Sequence, residues 1–425
     1  MKLKIWGCRG SFPKPHTTET LRDKEAQLLY EIAQNPEWMS SLTGLLVSKP
    51  SEEDFKSFLN HINSLATKVY GGNTSCYSLE MKNKSGEDEL VILDGGSGMT
   101  ELGNYLLKEK IMKGQKVKSK IFFSHVHGDH IEGYPFFIPA YVPGNEFVLM
   151  GMPNVVDTLA EEADRNSARV GTETRIRKEE ELTVVLRKLK ELEGKVIEMA
   201  AKDGVKPKGV KDEKTYNSGI EMAMSNNTDR GRHPIPFEVQ KKIGASVTAI
   251  DLHLEQKITN GIDFDYEQGN HPDGILMYKF REGNKTFVNT GDWEHGKLLA
   301  NSHHSKYSAE DLDLFEFMLI EFLAGTDLVL TDSQYTVGEY TGGASGKGNK
   351  IGWGHPTAER ALEVAYEAAR LGGKQMRVIL THHDPAHTDR FLDKRTEELQ
   401  EFVKRKGMNE YITFEMAREG MEVEI

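Results

Sequence analysis

Short apolar runs recur along this chain, separated by turns rich in Gly, Asp and His and by longer stretches with a helical period. Leu3 to Trp6, Ser75 to Met81, Glu89 to Leu93, Lys120 to Phe123, Phe147 to Met150, Ser246 to Leu252, Leu276 to Phe280, Thr286 to Asn289, Leu328 to Thr331 and Met376 to Leu380 each predict a strand. Strands alternating with helical segments predict an α/β or α+β layered fold. The chemistry-bearing residues follow those strands closely. Asp94 sits with Gly95, Gly96 and Gly98 after one, His125 after another, Asp292 after Val288-Asn289-Thr290-Gly291, Asp332 after Val329-Leu330, and His382 after Val378-Ile379-Leu380-Thr381. Loops held at one edge of a rigid sheet can bring such residues to a single place.

Two segments break the pattern within what otherwise reads as a single domain over 1–425. Residues 16–67 turn helical and polar, with Leu21, Ala26, Leu28, Leu29 and Ile32, then Phe55, Phe58, Leu59 and Ile62, at amphipathic spacing, which predicts an inserted helical cap. A second helical insertion spans 153–232. Its stretch Glu180 to Ala201 carries one apolar stripe through Leu182, Val185, Leu186, Leu189, Leu192, Val196 and Ile197. Such a helix serves packing or a homodimer; flanking Arg165, Arg169, Arg175, Arg177 and Lys178, with Lys206, Lys208, Lys211 and Lys214, also allow a substrate-gripping arm.

Charge and cysteine content narrow the classes. A net charge of −12 argues against broad attraction to nucleic acid or anionic membranes. Cys8 and Cys76 are the only cysteines, too few for a disulfide framework and suited to a reducing compartment. The first residues reach Gly7 and Arg9 too soon for a signal-peptide core, and no stretch is apolar enough to span a bilayer, so the expectation is a soluble cytoplasmic enzyme.

Ser124-His125-Val126-His127-Gly128-Asp129-His130 then supplies the candidate chemistry. His125 and His127 are two apart and in extended backbone share a side. The turn allowed by Gly128 brings Asp129 and His130 to an adjacent position. Imidazole and carboxylate suit Zn(II), Mn(II) or Fe(II), and paired ions activate water while clamping a phosphoryl or acyl oxygen.

With Trp6-Gly7-Cys8-Arg9-Gly10-Ser11-Phe12-Pro13, Tyr70 to Cys76, Ile92 to Gly98, His271-Pro272-Asp273-Gly274, Thr290-Gly291-Asp292, Gly352-Trp353-Gly354-His355-Pro356-Thr357 and Leu380 to Pro385, this ordered series resembles the metallo-β-lactamase-fold hydrolases, in the branch of tRNase Z and related cyclic phosphodiesterases. The resemblance spans most of the chain. It implies an αββα sandwich with a dinuclear metal centre at one edge. Carried over by position, His125, His127 and His271 ligate one ion, Asp129, His130 and His382 the other, and Asp292 bridges; His383 is the alternative to His382. The nucleophile implied is a hydroxide between the ions, formed from water whose pKa coordination lowers to about 7. Asp129 would also orient this water. His355 is the implied acid for the leaving group, with Asp332 orienting it and raising its pKa so that it stays protonated near neutrality. Pro356 stands where the family usually has Ser, and Thr357 before Ala358 to Leu371 also reads as a helix cap.

Asp94 reads as a carboxylate steadying a ligand histidine. Arg9 and Asn73 either contact substrate or brace loops, and Trp293, His295 and His387 lie near ligands in sequence. The leading expectation is phosphodiester hydrolysis on a cyclic nucleotide, cyclic phosphate or short oligonucleotide. Alternatives are a tRNA 3′-processing endoribonuclease, a thioesterase or lactonase using the same ligands on a carbonyl, and a non-enzymatic scaffold.

Overall fold

The computed structural model describes residues 1–62, 64–152, 246–252, 261–272, 274–295, 309–343 and 348–425. Its strands form two mixed sheets. The first, in spatial order, is β13 (Glu422–Glu424), β1 (Lys2–Gly7), β2 (Cys76–Lys82), β3 (Asp88–Leu93), β4 (Lys118–Phe122), β5 (Glu146–Gly151) and β6 (Ser246–Asp251). The second is β12 (Ile412–Met416), β11 (Met376–Thr381), β10 (Leu328–Asp332), β9 (Lys285–Asn289), β8 (Ile275–Glu282) and β7 (Asp263–Gly269). Pairing is parallel from β3 to β6 and from β9 to β12, and antiparallel elsewhere.

All ten expected strands are present. The three that were not expected, β7, β12 and β13, are sheet edges. An edge strand needs few apolar residues, and Asp263-Phe264-Asp265-Tyr266-Glu267 or Glu422-Val423-Glu424 gives little apolar signal.

The sheets meet through aromatic side chains. Phe122 of the first lies with its ring centroid 5.0 Å from Phe264, 5.2 Å from Tyr278 and 5.2 Å from Phe280 of the second. Tyr278 also donates its hydroxyl to the Phe123 carbonyl at 2.6 Å. Outside the first sheet, α4 (Gly98–Glu109) buries Met99, Leu102 and Leu106. Outside the second, α8 (Ala358–Gly372) buries Ala361, Leu362, Val364, Ala365, Ala368 and Ala369, and α9 (Asp389–Arg405) buries Leu392, Leu399 and Val403. This is the αββα layering expected from the motif series.

Between β1 and β2 lie three helices, α1 (Thr18–Gln34), α2 (Pro36–Val47) and α3 (Glu52–His61), which start at caps made by Thr17, Asn35 and Ser51. Of the nine expected apolar positions, however, two are buried, Ile32 and Ile62. Ile32 is the one buried residue of α1, while Leu29 and Leu21 are exposed, and α2 and α3 bury none. A Lys24–Asp389 ion pair of 3.1 Å ties α1 to the start of the helix after Thr388. The second insertion and its Glu180 to Ala201 stretch lie outside the described residues.

Both sheets direct their strand ends to one edge. The strands β1, β3, β4, β5 and β6 run the same way, as do β7 and β9 to β12, and their C-terminal ends lead into the loops bearing Ser11, Asp94, His125, His271, Asp292 and His382. Phe122→Ala should cost about 3–5 kcal/mol by opening a cavity between the sheets; equilibrium urea unfolding checks it.

Candidate metal centre

Strain gathers where these loops meet. Four non-glycine residues have positive φ among the described residues, and three of them, Ser11 (60°), Asp94 (57°) and His382 (60°), belong to this edge. Left-handed backbone at residues bearing a Cβ persists only where surrounding contacts enforce it. The enforcing contacts are visible: the Ser11 N–H donates to Asp129 Oδ2 at 2.7 Å, Asp94 takes the Ser124 N–H at 2.7 Å, and Gly10 lies so close to His382 that a Cβ there would come 2.4 Å from its Nδ1.

His125, His127 and His271 form one cluster, with their ligand atoms within 4.8 Å of one another. His125 Nε2 is 3.0 Å and His271 Nε2 3.2 Å from His127 Nδ1. The opposite nitrogens are committed. His271 Nδ1 faces the Gly354 carbonyl at 3.0 Å, and a carbonyl only accepts, so Nδ1 carries the proton and Nε2 turns a lone pair inward. Ser124 Oγ donates to Asp94 Oδ1 at 2.9 Å and therefore accepts from His125 Nδ1 at 3.1 Å, which fixes the same tautomer there. Burial, reinforced by the neighbouring His127, pushes His271 down to about 3, and burial with the adjacent His130 and His127 drives His125 well below its usual value. Neutral imidazoles with converging lone pairs are the form that ligates a cation.

Asp129, His130, Asp292 and His382 make the second cluster, again within 4.8 Å. Asp292 Oδ2 stands 3.2 Å from His130 Nε2, 3.3 Å from His382 Nε2 and 3.5 Å from His125 Nε2, so it lies between the two clusters. Asp129 Oδ2 is 3.1 Å from His382 Nε2, and His130 Nδ1 lies 3.1 Å from Asp94 Oδ2. Burial opposes ionisation of Asp292, yet His382, His130 and His125 hold it well below the ordinary carboxylate range; His130 and His382 do the same for Asp129. In return, Asp292 leads the carboxylates that raise His382 to about 9 against burial and lift His130 well above its usual value. This pocket demands positive charge, which a proton or a metal ion supplies. The donor set, with its tautomers fixed from behind, fits metal ions.

His355 Nδ1 contacts Asp332 Oδ2 at 2.8 Å, so the expected pair is formed. Burial pushes His355 down to about 3 against the pull of Asp292, and burial also lifts Asp332 well above its range, which favours a neutral pair over an imidazolium and a carboxylate. The two descriptions hold the same number of protons. Thr357 does cap α8, accepting from the Arg360 N–H at 3.2 Å, which leaves His355 in the preceding loop.

The remaining candidates separate cleanly. His383 donates Nε2 to the Ala417 carbonyl at 2.9 Å and joins neither cluster. Arg9 spends its guanidinium on the Gly71 and His387 carbonyls and Asp389, and the Asn73 side chain accepts from Ser97, so both brace loops. Trp293 donates to Thr331 Oγ1 at 3.0 Å, His387 meets Glu339 at 2.9 Å, and His295 packs on Tyr340. The contributions not expected from sequence are the Ser11 N–H, the Ser124 hydroxyl and the Gly354 carbonyl. Two are backbone groups, which carry no residue signature, while Ser124 was legible only by its place beside His125.

Neither a family model nor a curated protein matches the chain. Solved structures similar to it include the metallo-β-lactamase fold protein YhfI from Bacillus subtilis, at 14% identity over 100% of this chain and 99% of that one, TM-score 0.44. Unliganded yeast PDE1 is 14% identical over 84% of this chain and 96% of that one, TM-score 0.47. Zn(2+)-bound PqqB from Methylobacterium extorquens is 9% identical over 100% of both chains, TM-score 0.48.

Because Asp94 sets the ring orientation of His130 directly and of His125 through Ser124, Asp94→Asn should weaken metal retention by roughly 10- to 100-fold. Competition against a chromophoric chelator measures it.

Proposed function

We propose that this chain is a metal-dependent hydrolase that cleaves phosphodiester bonds. The observation that carries the reading is the position of Asp292 Oδ2 within 3.5 Å of His125, His130 and His382 together, with the His355–Asp332 pair at the same edge. His125, His127 and His271 would hold one divalent ion, Asp129, His130 and His382 a second, and Asp292 would reach both. Zn(II) suits this imidazole-rich set best, with Mn(II) or Fe(II) as alternatives. When bound, such ions bring the pKa of water to about 7 and neutralise charge on phosphoryl oxygens.

The chain's own residues supply the rest. Asp129, fixed by the Ser11 N–H, orients the attacking water. His355 passes its Nε2 proton to the leaving oxygen while Nδ1 takes the proton held by Asp332, so one proton leaves the imidazole as another enters. That relay requires no imidazolium in the resting state, which accords with burial of the pair. A net charge of −12 favours a small cyclic phosphodiester or a short oligonucleotide over a long polyanion such as a tRNA precursor. Among the described residues no helix is long and apolar enough to cross a membrane. Two buried free thiols, Cys8 and Cys76, suit a reducing cytoplasm.

Purified protein supplied with Zn(II), Mn(II) or Fe(II) should hydrolyse bis(p-nitrophenyl) phosphate. Asp129→Ala should abolish turnover, and His355→Ala should lower kcat by roughly 10²- to 10⁴-fold. Turnover of thioesters or lactones that is indifferent to His355→Ala, with no phosphodiester cleavage, would make the chain an acyl hydrolase instead.

A further inference from the structure

The loop bearing His355 is pinned by a carboxylate that plays no part in either metal cluster. Glu294 lies two residues beyond Asp292, is 3% exposed, and spends both oxygens on defined donors. Oε1 accepts from the Tyr340 hydroxyl at 2.6 Å and the Gly352 N–H at 2.6 Å, and Oε2 accepts from the Gly354 N–H at 2.9 Å. Its main chain is equally committed: the Glu294 N–H donates to the Asn270 carbonyl at 2.9 Å, and Asn270 Nδ2 donates to the Glu294 carbonyl at 2.7 Å. Asn270 immediately precedes His271.

One residue therefore joins three loops of the site. Its backbone continues from Asp292, its backbone partner leads into His271, and its side chain holds the turn that leads into His355. That turn touches His271 twice. The Gly354 carbonyl fixes the His271 tautomer, and Gly354, at φ +91°, lies so close that a Cβ would come 2.3 Å from the His271 ring. On the side away from His271 the N–H groups of Gly352 and Gly354 are held by Glu294.

We infer that Glu294 is a positioning residue for the centre: by clamping Gly352 and Gly354 it sets the tautomer and placement of His271 and the placement of His355 together. This rests on the reading of the site as a metal centre. A carboxylate is needed because both oxygens must accept. Glu294→Gln can retain the Oε1 contacts, but it sets an amide N–H₂ against the Gly354 N–H, donor against donor. Tyr340→Phe removes a bond to the same carboxylate while leaving both loop contacts intact, and so reports what loss of a buried hydrogen bond does by itself.

The test is metal affinity by chelator competition, with thermal unfolding and steady-state kinetics, on wild type, Glu294→Gln and Tyr340→Phe. Glu294→Gln should weaken metal binding by roughly 10- to 100-fold and lower kcat with little change in KM, while Tyr340→Phe keeps the wild-type affinity. Should Glu294→Gln not fold, Glu294→Asp keeps the charge but cannot span Gly352 and Gly354, and should show the same loss. A folded Glu294→Gln with wild-type affinity and kcat, or equal losses in Tyr340→Phe, would overturn the inference. Wild-type protein that binds no metal would instead refute the metal-centre reading beneath it.

Discussion

Carboxylates removed from water cannot stand together without positive charge among them, and this chain buries Asp94, Asp129, Asp292 and Asp332 at one edge of the sandwich. Every other feature of the edge answers that constraint. Imidazoles lie between the carboxylates, and backbone N–H groups of Ser11, Ser124 and Gln334 donate to three of them. Where acids dominate, His130 and His382 are drawn toward the charged form; where imidazoles dominate, His125 and His271 are driven neutral. The two halves of the site thus differ in what they offer, one a set of inward lone pairs and the other an anionic pocket, and Asp292 adjoins both.

The scaffold makes this crowding tolerable. Parallel strands from both sheets lead to this edge, so loops distant in sequence converge there. The cost appears as left-handed backbone at Ser11, Asp94 and His382, each held by contacts already described. Glycine supplies the remaining close approaches, at Gly10 against His382 and Gly354 against His271.

Much of this was legible in the chain. Central strands such as Val378 to Thr381 are buried on both faces and read as unbroken apolar runs, and each chemical group sits just past one of them. The edge strands Asp263 to Gly269 and Glu422 to Glu424 were silent because they are mostly polar. The helices of 16–67 were legible through their amphipathic spacing, but the burial of their apolar stripe was not, because periodicity reports an amphipathic face without saying what covers it. His355 shows a further limit. Sequence placed it beside Asp332 correctly, whereas its protonation depends on desolvation, which emerges only when the surrounding layers are assembled. The backbone groups that fix the histidine tautomers have no sequence signature.

The most direct test of the account is an anomalous difference map at the zinc edge from crystals grown with Zn(II). The account predicts two peaks, one against His125, His127 and His271 and one against Asp129, His130 and His382, with Asp292 in contact with both. Absence of any peak at this edge, with the same histidines and carboxylates bonded to one another through protons alone, would contradict it.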